Sequence, residues 1–138
     1  LVFVGGHSAG HAAFIDKQNR ILFIGDDIIS DTASSGSVNM TRPGPFGEHT
    51  SLKVWRDNCK RLADRIDEYD YVYPGHFMLD IEAGVVVDTL NALDEILADP
   101  ESYTYKTERW AKGAAEPTVR YFKRVKGFSQ IAYNYRKA

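Results

Sequence analysis

Apolar and polar positions change rhythm several times along the chain, and each rhythm predicts an element. Leu1 to Val4 is an apolar run that reads as a strand stub. His11 to Asp16 and Arg20 to Ile24 are two further strand-like runs, separated by the polar turn "DKQN", so they predict a hairpin. Gly25-Asp26-Asp27 ends the second of these strands. From Ser30 to Gly47 the periodicity disappears into "SDTASSGSVNMTRPGPFG", rich in Ser, Gly and Pro, which predicts a long loop. Long loops in compact domains are often functional.

A helical period follows. Leu52, Trp55, Cys59, Leu62 and Ile66 recur at three- and four-residue steps and predict a helix over about Glu48 to Tyr69, with Thr50 or Ser51 as its N-cap. "YDYVYPGH" reads as a short strand ending in a turn. Val86, Leu90, Leu93 and Leu97 give the buried face of a second helix over Leu79 to Ala98, closed by Pro100. A third, shorter helix is expected near Tyr103 to Lys112. Thr118 to Val125 and Phe128 to Tyr135 then predict a hairpin turning at Lys126-Gly127.

Composition narrows the class. Of 138 residues, 43% are hydrophobic and 26% charged, the balance of one globular domain rather than a disordered chain. No apolar run approaches the length of a membrane span, which predicts no membrane partner. The single cysteine, Cys59, cannot form an internal disulfide, and this points to a reducing, cytoplasmic compartment. Cys59 lies on the apolar stripe and reads as core rather than nucleophile.

Charge is unevenly spread. Residues 1–105 carry 8 Lys and Arg against 17 Asp and Glu, and residues 106–138 carry 9 against 2. A basic end around Lys123 and Arg124 admits a second reading, a non-catalytic interaction module that binds nucleic acid or an acidic partner. The plainer reading is a solvated face guarding strand edges. The chain is slightly acidic overall and lacks an aromatic-glycine RNA-binding motif, so nucleic acid is the weaker expectation.

Three polar residues share one kind of place. His7 follows a strand stub and two glycines, Asp26 follows "ILFIG", and His76 follows "YVY" and Pro-Gly. Each stands at a strand end in a glycine-assisted turn. Imidazole nitrogen and carboxylate oxygen together suit zinc, iron or manganese. Taken singly, each is better explained as a hydrogen-bonded turn or loop-capping residue than as a metal ligand.

Taken together, "GGHSAGHAAFIDKQNRILFIGDDI" followed by "YDYVYPGH" resembles the C-terminal half of the metallo-β-lactamase superfamily, with the helix between the last two motifs. The resemblance covers about the first 80 residues in motif and the rest in element order. It implies a mixed α/β (α+β) fold: half of a four-layer αββα sandwich, a mixed or antiparallel sheet with helices on one face. It implies a metal-dependent hydrolase with two divalent ions, zinc before iron or manganese, acting through a metal-activated water. The substrate would be a small ester, thioester, lactone or related molecule. His7 would ligate one metal, Asp26 would bridge both and take part in catalysis, and His76 would ligate the second. His11 would support the ligands without binding metal. Arg42 and Phe46 on the long loop, and Phe77 where a glycine is common in the family, would line the substrate site. His49, at the expected helix start, is a weaker candidate.

The family's His-x-His-x-Asp-His motif is absent from this sequence. The chain also begins without Met, inside an apolar run, whereas chain ends are usually exposed and polar. The expectation is therefore the C-terminal portion of a longer domain. Without its N-terminal half it would bind metal weakly or not at all, lack activity, and self-associate through an exposed apolar face.

Overall fold

The computed structural model describes residues 1–8, 10–28, 32–34, 52–127 and 129–133, with the backbone alone at 32–34 and 118. Among these residues nine strands form two sheets, accompanied by two α-helices and a 3-10 turn. The fold is of the mixed α/β class.

The first sheet contains β1 (Val2–Phe3), β2 (Ala12–Asp16), β3 (Ile21–Gly25), β5 (Tyr71–Pro74) and β6 (Ile81–Glu82), in the order β1-β2-β3-β5-β6. The expected hairpin is β2–β3, with Phe14 opposite Phe23 and Ile15 opposite Leu22. Arg20 closes it at a positive φ of 56°. Its guanidinium reaches both carboxylate oxygens of Asp70, at 2.6 and 2.7 Å, and clips the turn to the start of β5. β3 and β5 pair in parallel, as α1 (Leu52–Ala63) returns the chain between them.

Side-chain alternation divides this sheet into two faces. Val2, Ala13, Leu22, Ile24 and Val72 point inward and are buried. They meet Leu52, Trp55, Cys59 and Leu62 of α1, and Val86, Leu93 and Ile96 of α2 (Gly84–Ala98), in one core cluster. The stripe of α1 is the one its periodicity predicts, except that Ile66 falls in the 3-10 turn Ile66–Glu68 and is half-buried. The outer face presents Leu1, Phe3, Phe14, Phe23 and Tyr71 to solvent, with Phe3 63% and Phe14 57% exposed.

The second sheet has the order β4-β9-β8-β7, from β4 (Thr32–Ser34), β7 (Tyr105–Arg109), β8 (Thr118–Arg124) and β9 (Gln130–Tyr133). β8 and β9 are the predicted C-terminal hairpin, antiparallel with Phe122 opposite Ala132. Ile131 and Tyr133 belong to the same core cluster as the first sheet. The Tyr133 hydroxyl donates to the Pro100 carbonyl at 2.7 Å, fixing β9 to the end of α2.

Four sequence expectations need correction. Residues 105–109 are a strand, not part of a third helix: they pair with β8 from Tyr105–Phe122 to Arg109–Thr118. All five are exposed, so no apolar stripe exists to support a helix, and the ladder satisfies the backbone instead. α2 starts at Gly84 rather than Leu79, because Ile81–Glu82 is taken up as β6 on the edge of β5. α1 ends at Ala63, well short of Tyr69. The expected loop over Ser30 to Gly47 contains β4, which gains a parallel partner in β9. Most of that loop, and the proposed N-caps Thr50 and Ser51, lie outside the described residues.

Candidate functional site

The topology brings three turns to one edge of the first sheet. β1 and β2 are antiparallel, as are β2 and β3, so β1 and β3 run the same way, and β5 runs parallel to β3. The C-terminal ends of β1, β3 and β5 therefore lie along the same edge, those of β3 and β5 as neighbours and that of β1 beyond the start of β2. These ends carry His7, Asp26 and His76.

Asp26 sits between the two histidines. Its Oδ2 is 3.7 Å from His7 Nε2, and its Oδ1 is 3.4 Å from His76 Nε2. All three side chains reach solvent, His76 being the most exposed. Two donors on one zinc ion, each about 2 Å from it in a tetrahedral array, stand about 3.3 Å apart. The His76–Asp26 separation is close to that spacing and the His7–Asp26 separation is somewhat longer. Among the described residues no group of three or more His, Cys, Asp or Glu converges on a single point as a metal cage.

Close approach at this edge depends on glycine. A Cβ at Gly75 would collide with Asp26 Oδ1, and the Gly75 N–H donates to the Gly25 carbonyl at 3.0 Å. Gly25 has φ +61°, and a Cβ there would strike the His11 ring.

Behind the exposed trio lies a buried pair. Asp27 is 2% exposed, and its Oδ1 accepts the His7 backbone N–H at 2.7 Å. His11 Nδ1 lies 3.5 Å from the same oxygen. Asp27 Oδ2 is buried without a hydrogen-bond partner among the described residues. Burial pushes the Asp27 carboxyl up to about 7, against the lowering effect of the His7 and Gly6 N–H groups. Burial, and then the neighbouring His7, lower the pKa of His11. His11 thus lies beside the trio and contacts Asp27. The His7 turn is also held from α1, where the Asn58 amide donates to the Gly5 carbonyl at 3.1 Å.

Phe77 is 71% exposed, its ring centroid 6.0 Å from that of His76. Its φ is +69°, the region that glycine occupies without steric cost. Arg42, Phe46 and His49 lie outside the described residues. Cys59 is in the core, with burial pushing its thiol up to about 12 and its Sγ 3.4 Å from the Val86 carbonyl. Lys123, from the basic end, is drawn inward to Glu95 at 2.5 Å and the Ser102 carbonyl at 2.8 Å. A cavity of about 420 Å³ opens between the start of α2 and the β8–β9 turn, with Val85, Glu82, Asp88 and Lys126 in its wall. None of the trio lines it.

Asp27 is the residue that sequence reasoning passed over. The signal was the acidic doublet at the end of β3. Leu22 and Ile24 point inward, so strict alternation would send Asp26 inward too. An irregularity between Phe23 and Gly25 breaks the register, turning Asp26 to the rim and Asp27 into the core. No family model and no curated protein matches the chain. Among the described residues no helix is long and apolar enough to cross a membrane.

Proposed function

We propose that the chain is the C-terminal part of a metal-dependent hydrolase of the metallo-β-lactamase type. The observation that carries this reading is the Asp26 carboxylate, with one oxygen toward His7 and the other toward His76. His7 and Asp26 would hold one divalent ion, and Asp26 and His76 a second, with zinc favoured by the N/O donor set. Such ions supply Lewis acidity and an activated water for attack on an ester, thioester or lactone of a small-molecule substrate.

The chain's own residues do the positioning. Asp26 has one imidazole beside each carboxylate oxygen, so the two proposed ligand pairs would share one carboxylate. Gly75 leaves room for that carboxylate, and Phe77 offers an apolar rim beside His76. Arg42 and Phe46, outside the described residues, are proposed for the substrate wall on the sequence resemblance alone.

The outer face of the first sheet supports the architectural part of the proposal. Leu1, Phe3, Phe14, Phe23 and Tyr71 form a surface of the kind a second sheet covers in a sandwich. In a four-layer αββα arrangement that second sheet would belong to an N-terminal half, which would also bring the remaining metal ligands. On this reading the chain alone binds metal weakly, lacks activity and self-associates.

Zinc titration of the chain before and after the paired substitution His7→Ala/His76→Ala tests the reading. Stoichiometric or weak binding that disappears in the variant supports it. Equal binding by both proteins, or none by either even with an added N-terminal half, rejects it.

A further inference from the structure

We infer that Asp27 is a positioning residue, whose buried carboxyl locks the His7 turn onto the turn that carries Asp26 and so sets the spacing between the two donors. The inference rests on the metal-binding reading of His7, Asp26 and His76 and extends it to a residue outside that set.

The geometry makes a short closed circuit. The His7 N–H donates to Asp27 Oδ1 at 2.7 Å, and Asp27 is covalently joined to Asp26. The His7 side chain meets Asp26 Oδ2 at 3.7 Å. One backbone hydrogen bond, the Asp27 side chain and the Asp26–Asp27 peptide unit therefore tie the two turns together. His11 closes a second circuit behind the first: its Nδ1 lies 3.5 Å from Asp27 Oδ1, and its ring packs against Gly25, the residue before Asp26. The Asp26 turn is thus bracketed by contacts on both sides.

The burial argues in the same direction. Asp27 is 2% exposed and Oδ2 finds no hydrogen-bond partner among the described residues. A carboxyl in such a place is costly for the fold, and an apolar residue of similar size would pack there at least as well. A carboxyl fits the site for the backbone N–H that Oδ1 accepts. That N–H belongs to a proposed metal ligand.

The test uses the whole chain, with inorganic zinc as the probe and amide hydrogen exchange as a readout independent of metal. In the wild type without metal, the His7 amide should be protected; exchange at the rate of an exposed amide overturns the inference before any variant is made. Asp27→Asn keeps an acceptor at Oδ1 and should retain both the protection and the zinc affinity. Asp27→Leu removes the acceptor. It should speed His7 exchange at least about tenfold and weaken zinc binding by about 10- to 100-fold, as loss of an outer partner of a metal ligand does. Amides of Leu22 and Leu93 in the core should be unaffected. Unchanged His7 exchange in a folded Asp27→Leu, or equal losses in Asp27→Leu and Asp27→Asn, overturns the inference. If the wild type takes up no zinc even with an added N-terminal half, the metal-binding reading fails, while His7 exchange still decides whether Asp27 holds the turn.

Discussion

His76 Nε2 lies 3.4 Å from Asp26 Oδ1, although a long loop and the whole of α1 separate the two in sequence. The contact follows from the parallel pairing of β3 and β5, whose C-terminal ends are neighbours. It also places these residues where their loss should affect ligands rather than folding.

His7→Ala and His76→Ala should each abolish or sharply weaken zinc binding, while leaving stability within about 0.5 kcal/mol of wild type. Both side chains are partly solvated, at 37% and 61% exposure, so little packing is lost. Isothermal titration beside urea unfolding reads both quantities. A large drop in stability with zinc binding intact would reassign the histidines to a structural role.

Helix α1 offers the opposite case. Trp55 is 1% exposed against the sheet, and Trp55→Ala should cost about 3–5 kcal/mol, through lost burial and the cavity left behind. Val54, one position along and 45% exposed, should tolerate alanine within about 0.5 kcal/mol. Urea midpoints of the two variants give the comparison. Equal effects would mean that the stripe is not the buried face of α1.

Asp27 predicts a pH dependence with a definite sign. Its folded pKa is raised to about 7 by burial, above the ordinary carboxyl value of 3.8. Between these values the folded protein binds more protons at this site than the unfolded chain. The Asp27 contribution is therefore complete below about pH 4 and lost as pH rises toward 7, with a slope of up to about 1.4 kcal/mol per pH unit. His11, whose folded pKa is lowered by burial, acts oppositely and loses stability as pH falls below its unfolded value. Comparing metal-free wild type with Asp27→Leu isolates the Asp27 part: the stability difference should shift in favour of the variant from pH 4 to 7. A difference independent of pH would show that Asp27 does not titrate in this window.

The outer face of the first sheet predicts association. Phe14 and Phe23 stand directly opposite each other and are 57% and 42% exposed. The wild type should associate with concentration in sedimentation velocity, and Phe14→Ser/Phe23→Ser should shift it toward monomer with little loss of stability. A wild type that stays monomeric at high concentration would count against a surface that demands a cover.

Much of the first sheet and α1 is legible from local pattern. The β2–β3 hairpin follows from two apolar runs around a polar turn, and the α1 stripe from three- and four-residue spacing, because neighbours in sequence are the partners. The candidate site is legible as three separate turns. Each offers a His or Asp after a strand and a glycine, but nothing in the spacing brings them together.

The sequence by itself determined which residues could bury and which could bind: the stripe of Leu52, Trp55, Cys59 and Leu62, and the exposed chemistry of His7, Asp26 and His76. Only the tertiary structure decided the rest. Residues 105–109 are a strand because β8 offers them a ladder, an interaction their own side chains do not announce. Ile81–Glu82 leaves the predicted helix because β5 has an open edge. The break in register at Gly25 sends Asp26 outward and Asp27 inward, reversing what alternation predicts. Long-range backbone pairing thus settles these assignments, because the strand that completes each ladder lies elsewhere in the sequence, where local preference carries no record of it.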